Sequence, residues 1–165
     1  MSTNMYIKLD SIEGESTSAE HAKEIEILSW SHGFSQTTSS VRASSGATVE
    51  KANHSDLSIT KYLDSSTDDI LKMCWTGKVI KSGTITCLRS DGAEDNKPVT
   101  YLKVEMEEII ISNYSISGGS GDLPVENISL NYGKVTYTYL PQKKEDGTGG
   151  SAQPISHDLT TNKIQ

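Results

Sequence analysis

A chain of 165 residues has the length of one domain, and it is read as a single domain spanning residues 1–165. Charged residues make up an ordinary 22%, but apolar residues only 34%, so the core is thin and much of the surface polar. The net charge of −7, with Lys and Arg scattered, repels phosphate and excludes nucleic acid and anionic membrane surfaces as expected partners.

The segment Met1–Asp10 has no basic region followed by an apolar run, so no signal peptide is expected. No apolar stretch approaches the ~20 residues that cross a bilayer. The expectation is a chain made and folded in the cytoplasm, with any export bypassing the general secretory route.

Period-two alternation dominates. Met5, Ile7 and Leu9 alternate with Tyr6, Lys8 and Asp10 and predict a first strand. Ile25 and Ile27 alternate with Glu24 and Glu26, and Leu28, Trp30, His32 and Phe34 then continue on the other parity, which predicts a bulge or a strand exposed differently at its two ends. The run from Gln36 to Asp56 is long, small and polar and reads as a loop with a binding or contact role. Leu57 and Ile59, running into Tyr62, mark the next strand.

One segment breaks the pattern. Ser65-Ser66-Thr67-Asp68-Asp69 can cap a helix and suits the positive end of its dipole. Ile70, Leu71, Cys74 and Trp75 are read as its buried face, and Gly77 as its C-terminal cap. Strands resume at Ile80–Leu88, rich in β-branched residues, and Asp91-Gly92 opens a turn. Val99–Tyr114 is a long strand with Leu102, Val104 and Met106 on one face, and Glu107-Glu108 interrupts its alternation.

Gly118 to Asp122 is a second turn, and Val125–Leu140 is the clearest strand, bent at Gly133 between Ile128, Leu130, Tyr132 and Val135, Tyr137, Tyr139. Residues 142–165 form a tail, within which Ile155 to Ile164 can return as a last strand. The sum is a mainly β fold: a small barrel of two antiparallel sheets with one flanking helix.

No catalytic constellation emerges. Cys74 and Cys87 lack metal-ligand spacing and read as two buried thiols, with a disulfide left open. His21, His32, His54 and His157 have no His or Cys partner at ligand spacing and read as structural or surface residues. Asp10, Glu13 and Glu15 lie near a turn, and Glu105, Glu107 and Glu108 in a strand; both groups read as solvated faces or subunit contacts rather than glycosidase pairs. Gly118–Gly121 leads into a strand rather than a helix and so is no phosphate loop. No cofactor or metal is expected.

Five stretches in order resemble the hemolysin-coregulated protein (Hcp) family of type VI secretion. They are MYIK from Met5 followed by Gly14-Glu15-Ser16; HAKEIEILSWSHG from His21; DLSITKYLD from Asp56; YLKVEMEEIIISNY from Tyr101; and VENISLNYGKVTYTY from Val125. Two positions depart from the pattern. Trp30-Ser31-His32 stands where such sequences often carry Trp-Ser-Trp, and Ser156-His157 where they often carry Gly-Trp.

The resemblance implies a ring of six copies with an open centre, stacked into a tube, with a sheath, a spike protein and effector cargo as partners and no enzymatic activity. On it, Ser31 is expected to face the hole, alternating with a core Trp30. Ser44, Ser45, Gly46, Ala47 and Thr48 of the long loop are expected to reach a neighbouring subunit or ring. The alternatives are a monomeric sugar-binding β-barrel module and a small hydrolase built on the Glu105–Glu108 group.

Overall fold

The computed structural model describes residues 4–37, 51–90, 98–141 and 151–165. In chain order they form β1 (Asn4–Leu9), β2 (Ile25–Glu26), β3 (Ser29–Ser31), β4 (Phe34–Ser35), β5 (Asn53–His54), β6 (Leu57–Tyr62), α1 (Thr67–Thr76), β7 (Ile80–Ser90), β8 (Pro98–Ser117), β9 (Val125–Asn131), β10 (Lys134–Tyr139), β11 (Gln153–Asp158) and β12 (Lys163–Ile164). All the pairings are antiparallel.

The larger sheet runs β12-β11-β10-β8-β7-β1-β2, and the smaller runs β3-β6-β9-β8. Strand β8 belongs to both. Its first half pairs with β7 and β10, with Val104 opposite Ile85 and Tyr137. Its second half pairs with β9, with Tyr114 opposite Ile128. The hand-over falls at Glu108, whose φ of 56° is left-handed. The same residue resets the alternation, since Val104 and Met106 are buried before it and Ile109 and Ile111 after it. The interruption read at Glu107-Glu108 is therefore a corner between sheets.

The partner chain turns at the same level. Val125–Leu140 is two strands, not one, because β9 ends in the smaller sheet and β10 begins in the larger, with Tyr132-Gly133 between them. A third crossing is Ile25–Ser31, which pairs with β1 as β2 and with β6 as β3. The stretch Ile25–Phe34 is accordingly three short strands, since no single sheet can hold it straight. The two sheets wrap one core through these crossings, but the barrel is not closed: among the described residues no ladder joins β12 to the far edge.

The core is a single cluster including Ile7, Ile25, Leu57, Ile59, Ile85, Val104, Met106, Ile109, Ile128 and Leu130. Buried Gly83 lets β7 approach closely, since a Cβ there would lie 2.8 Å from both Leu9 Cδ2 and Ile109 Cδ1. Trp30 is half-buried and packs on this cluster.

Helix α1 packs against β8 with Ile70 fully buried. Asp68 and Asp69 occupy its first turn, and Gly77 ends it with φ 65°. Two expectations change. Trp75 is 78% exposed rather than on the buried face. Five residues on from Ile70 it is rotated by about 140°, while Thr67, Met73 and Cys74 stay closer to the Ile70 side. The N-cap residue Ser66 makes no capping bond, because its hydroxyl donates to Asp64 instead.

The expected loop Gln36–Asp56 contains a strand: β5 pairs with β4, Phe34 opposite His54. The tail does return, as β11 against β10 and β12 against β11. Cys87 is buried, Cys74 half-buried, and both are free thiols.

Candidate functional surfaces

Two adjacent rows in the middle of the outer face of the smaller sheet are uniform in chemistry, with Tyr62 and Val125 in the row beyond them. Register places Ser29, Thr60, Asn127 and Ser115 in one cross-strand row, and Ser31, Ser58, Ser129 and Asn113 in the next. All eight are exposed or half-exposed. None is charged and none is large and apolar, so the wall is a carpet of hydroxyls and amides. Thr60 donates to Asn127 Oδ1 at 2.9 Å, and Ser58 and Ser129 hydroxyls meet at 3.4 Å. The alternate residues, Leu57, Ile59, Ile128 and Leu130, point into the core. Ser31 lies on this exposed wall, on the side of the sheet away from the core. Ser44, Ser45, Gly46, Ala47 and Thr48 lie outside the described residues.

Behind this sheet a buried ionic network ties it to α1. Lys61 and Glu126 are fully buried neighbours in the β6–β9 ladder and form an ion pair. Lys61 Nζ also donates to Asp64 Oδ1 at 2.9 Å and to Tyr62 O at 3.0 Å. Glu126 Oε1 accepts from Thr67 Oγ1 at 2.8 Å and from the Tyr114 hydroxyl at 2.6 Å. Burial and the Glu126 carboxylate both push the Tyr114 hydroxyl's pKa up, which keeps it a donor. Each buried charge thereby meets an opposite charge and further polar partners, the condition for tolerating it.

Three of the four histidines converge at the other end of the molecule, which the spacing in sequence did not reveal. His32 follows β3, His54 is in β5, and His157 is in β11 opposite Val135. His32 Nδ1 lies 2.5 Å from the Tyr137 hydroxyl, and His32 Nε2 lies 2.7 Å from the Tyr132 hydroxyl. Tyr132 also lies 2.6 Å from His54 Nδ1. His54 Nε2 lies 2.8 Å from His157 Nδ1, and His157 Nε2 lies 3.0 Å from Asn162 Oδ1. Phe34 sits edge-on to His32 and His54, at 4.4 and 4.9 Å between ring centres.

Burial first, and then the neighbouring His54, lower the His32 pKa to about 4. His54 is lowered by burial, then by His157 and Lys51. Burial raises Tyr137 to about 12. The one signal for this cluster in the sequence was the pair of departures at His32 and His157, each a histidine where tryptophan is common in the resembling family.

The carboxylates do not form a site. Glu105 and Glu107 lie on an exposed strand face, with Glu105 3.9 Å from Lys103, and Glu108 is turned aside by its left-handed backbone. Glu13 faces Lys23 at 3.9 Å on the surface. Among the described residues no group of three His, Cys, Asp or Glu is placed to hold a metal, and no helix is long and apolar enough to cross a membrane.

The family model described as type VI secretion system effector, Hcp, matches residues 6–139. Protein hcp1 of Pseudomonas aeruginosa is 37% identical over 163 residues, covering 98% of each chain. A solved type six secretion system protein superposes with a TM-score of 0.90 at 29% identity, covering 99% of this chain and 100% of that one. Hcp1 from Salmonella typhimurium superposes with a TM-score of 0.81 at 28% identity, covering 100% of both chains.

Proposed function

This chain belongs to the Hcp family and is a secreted component of the type VI secretion tube, and from that premise we propose that six copies close into a ring whose bore is lined by the outer face of the smaller sheet. The observation that carries this placement is the eight-residue wall of Ser, Thr and Asn around Ser31. A bore that passes cargo of varied charge needs a surface without a strong field, which would select or trap cargo by sign. It also needs a surface without an apolar patch, which would hold cargo too tightly. Short hydroxyl and amide side chains meet both needs and keep the bore wide.

Rings of this kind stack head to tail, because a heterologous contact can continue without limit. The sheath surrounds the tube, the spike caps it and effectors ride in the bore. The chain is made in the cytoplasm and leaves through the type VI machine, and its role is structural rather than catalytic. Ser44, Ser45, Gly46, Ala47 and Thr48 belong to the contacts between subunits or rings.

Mass measurement of the purified protein, with negative-stain images of the same sample, tests the assembly. Six-fold particles with an open centre are expected, and a 17.9 kDa monomer at high concentration argues against it. Ser31→Gln tests the bore: rings should persist while cargo retention falls. Unchanged retention moves the bore to another face.

A further inference from the structure

The histidine cluster has a fixed direction. Asn162 Oδ1 only accepts, so His157 Nε2 must donate to it. In a neutral imidazole the other nitrogen then accepts, so His157 Nδ1 receives the proton of His54 Nε2. By the same rule His54 Nδ1 accepts from Tyr132, Tyr132 accepts from His32 Nε2, and His32 Nδ1 accepts from Tyr137. Every donor meets an acceptor, and all three imidazoles are neutral in the same tautomer.

One added proton can be accommodated. If His54 or His157 takes it, the tautomers and hydroxyls upstream reverse, and the chain ends with Tyr137 accepting instead of donating. A second proton cannot be placed on the pair. His54 Nε2 and His157 Nδ1 are 2.8 Å apart, room for one hydrogen between them. Two imidazolium rings there would set two N–H groups and two positive charges face to face.

The groups around the cluster do little to offset this. Asp56 is the negative charge that bears on His32, and its carboxylate is already engaged by Ser112 and Asn131. Lys51 adds positive charge near His54 and donates to Leu159 O. Asp158, beside His157, turns its carboxylate to Thr160 and Thr161. Tyr132 and Tyr137 stay protonated, with hydroxyls raised by burial.

The contact that fails joins two pieces of the fold that no backbone ladder connects among the described residues. The β4–β5 ribbon is its own two-stranded sheet, and β11 belongs to the larger one. His54 to His157, His54 to Tyr132 and His32 to Tyr137 are polar ties between these pieces and their flanks, beside the bond from Lys51 to Leu159 O, and Phe34 is stacked edge-on to His32, His54 and Tyr137. We propose that this relay of three histidines and two tyrosines is an acid-released latch, in which a second proton parts His54 from His157 and frees the β4–β5 ribbon from the β10–β11 face. The inference concerns a single chain and stands apart from the ring reading.

The test is a pH titration of the full-length protein from 8 to 4, following histidine ring signals by NMR and amide exchange, corrected for intrinsic rate, at Phe34, Asn53, His54 and His157. His54 and His157 should titrate as a coupled pair in two steps, and protection of the ribbon should fall with the second step by up to about tenfold per pH unit, the slope of one linked proton. His157→Gln keeps an acceptor for His54 and a donor for Asn162 but takes no proton. In that variant ribbon protection should change less than about twofold between pH 8 and about 5.5, above the range in which His32, lowered to about 4, itself takes a proton. Independent titration of the two histidines, or equal loss of protection in the parent and His157→Gln, overturns the latch. Should His157→Gln not fold at pH 7.5, the coupling and protection of the parent decide alone.

Discussion

The two buried polar clusters of this molecule solve the same problem in opposite ways. Lys61, Glu126 and Asp64 are charged, and they are satisfied by one another and by Tyr114 and Thr67. His32, His54 and His157 sit together neutral, linked by hydroxyls and by one ring nitrogen donating to the next. The first cluster is weakened by losing a partner, and the second by gaining a proton. An ionic cluster suits a joint that must not move, here the seat of α1 on the sheet. A neutral histidine relay makes a joint whose strength depends on the medium.

The largest effect should come from splitting the ion pair. Lys61→Met leaves Glu126 buried without its counter-charge and should lower stability by about 3–5 kcal/mol in denaturant unfolding. Replacing both partners, Lys61→Met with Glu126→Leu, should recover a good part of that loss, since a buried pair and a well-packed apolar pair are often close in energy. A double variant no better than the single one would mean that Glu126 acts mainly through Thr67 and Tyr114.

Next in size is Tyr132→Phe in the relay. It removes the central hydroxyl, leaving His32 Nε2–H without an acceptor and His54 Nδ1 without a donor, and should cost about 1–3 kcal/mol at pH 7.5. Tyr137→Phe, at the chain's end, should cost about 1 kcal/mol. If the two tyrosines are equivalent, the relay does not act as one directed chain.

The pH profile separates the clusters further. The folded-state pKa values of His32 and His54 lie below the ordinary histidine value of 6.5. On acidification the unfolded chain therefore binds protons first. The relay's contribution is complete above about pH 6.5 and declines as pH falls toward about 4 for His32, by about 1–2 kcal/mol once solvent screening is allowed for. Thermal melts of the parent and of His32→Gln from pH 7.5 to 4.5 check this, with a smaller decline expected in the variant.

The smallest effect is expected outside both clusters. Trp75 is 78% exposed on α1, so Trp75→Ala should change the stability of the isolated chain by no more than about 0.5 kcal/mol.

The polar clusters were also the least legible parts of the sequence. Alternation marked β1, β6, β7, β8 and β9, because a strand half-buried against a core must place apolar side chains every second residue. The corner at Glu107-Glu108 and the bend at Gly133 were visible as breaks in that alternation, and Gly77 as a helix end. Ser31 was placed by parity beside Trp30, and the register extends that one position to two rows of polar residues. Trp75 was misplaced because a short helix offers several arcs of apolar residues, and only its packing on β8 selects the one around Ile70. Asn53–His54 looked like loop, since two polar residues carry no period.

Local chemistry in the chain determined where the longer strands run, where α1 starts and stops, and that the surface is acidic and polar. Tertiary structure decided which strands cross between sheets, which face became the hydroxyl wall, and that Lys61 meets Glu126 and His54 meets His157. Those pairs lie 65 and 103 residues apart in sequence. A periodic pattern reports the side of a strand that is buried, but only the strand register brings two distant polar side chains into the same dry space, where each must satisfy the other.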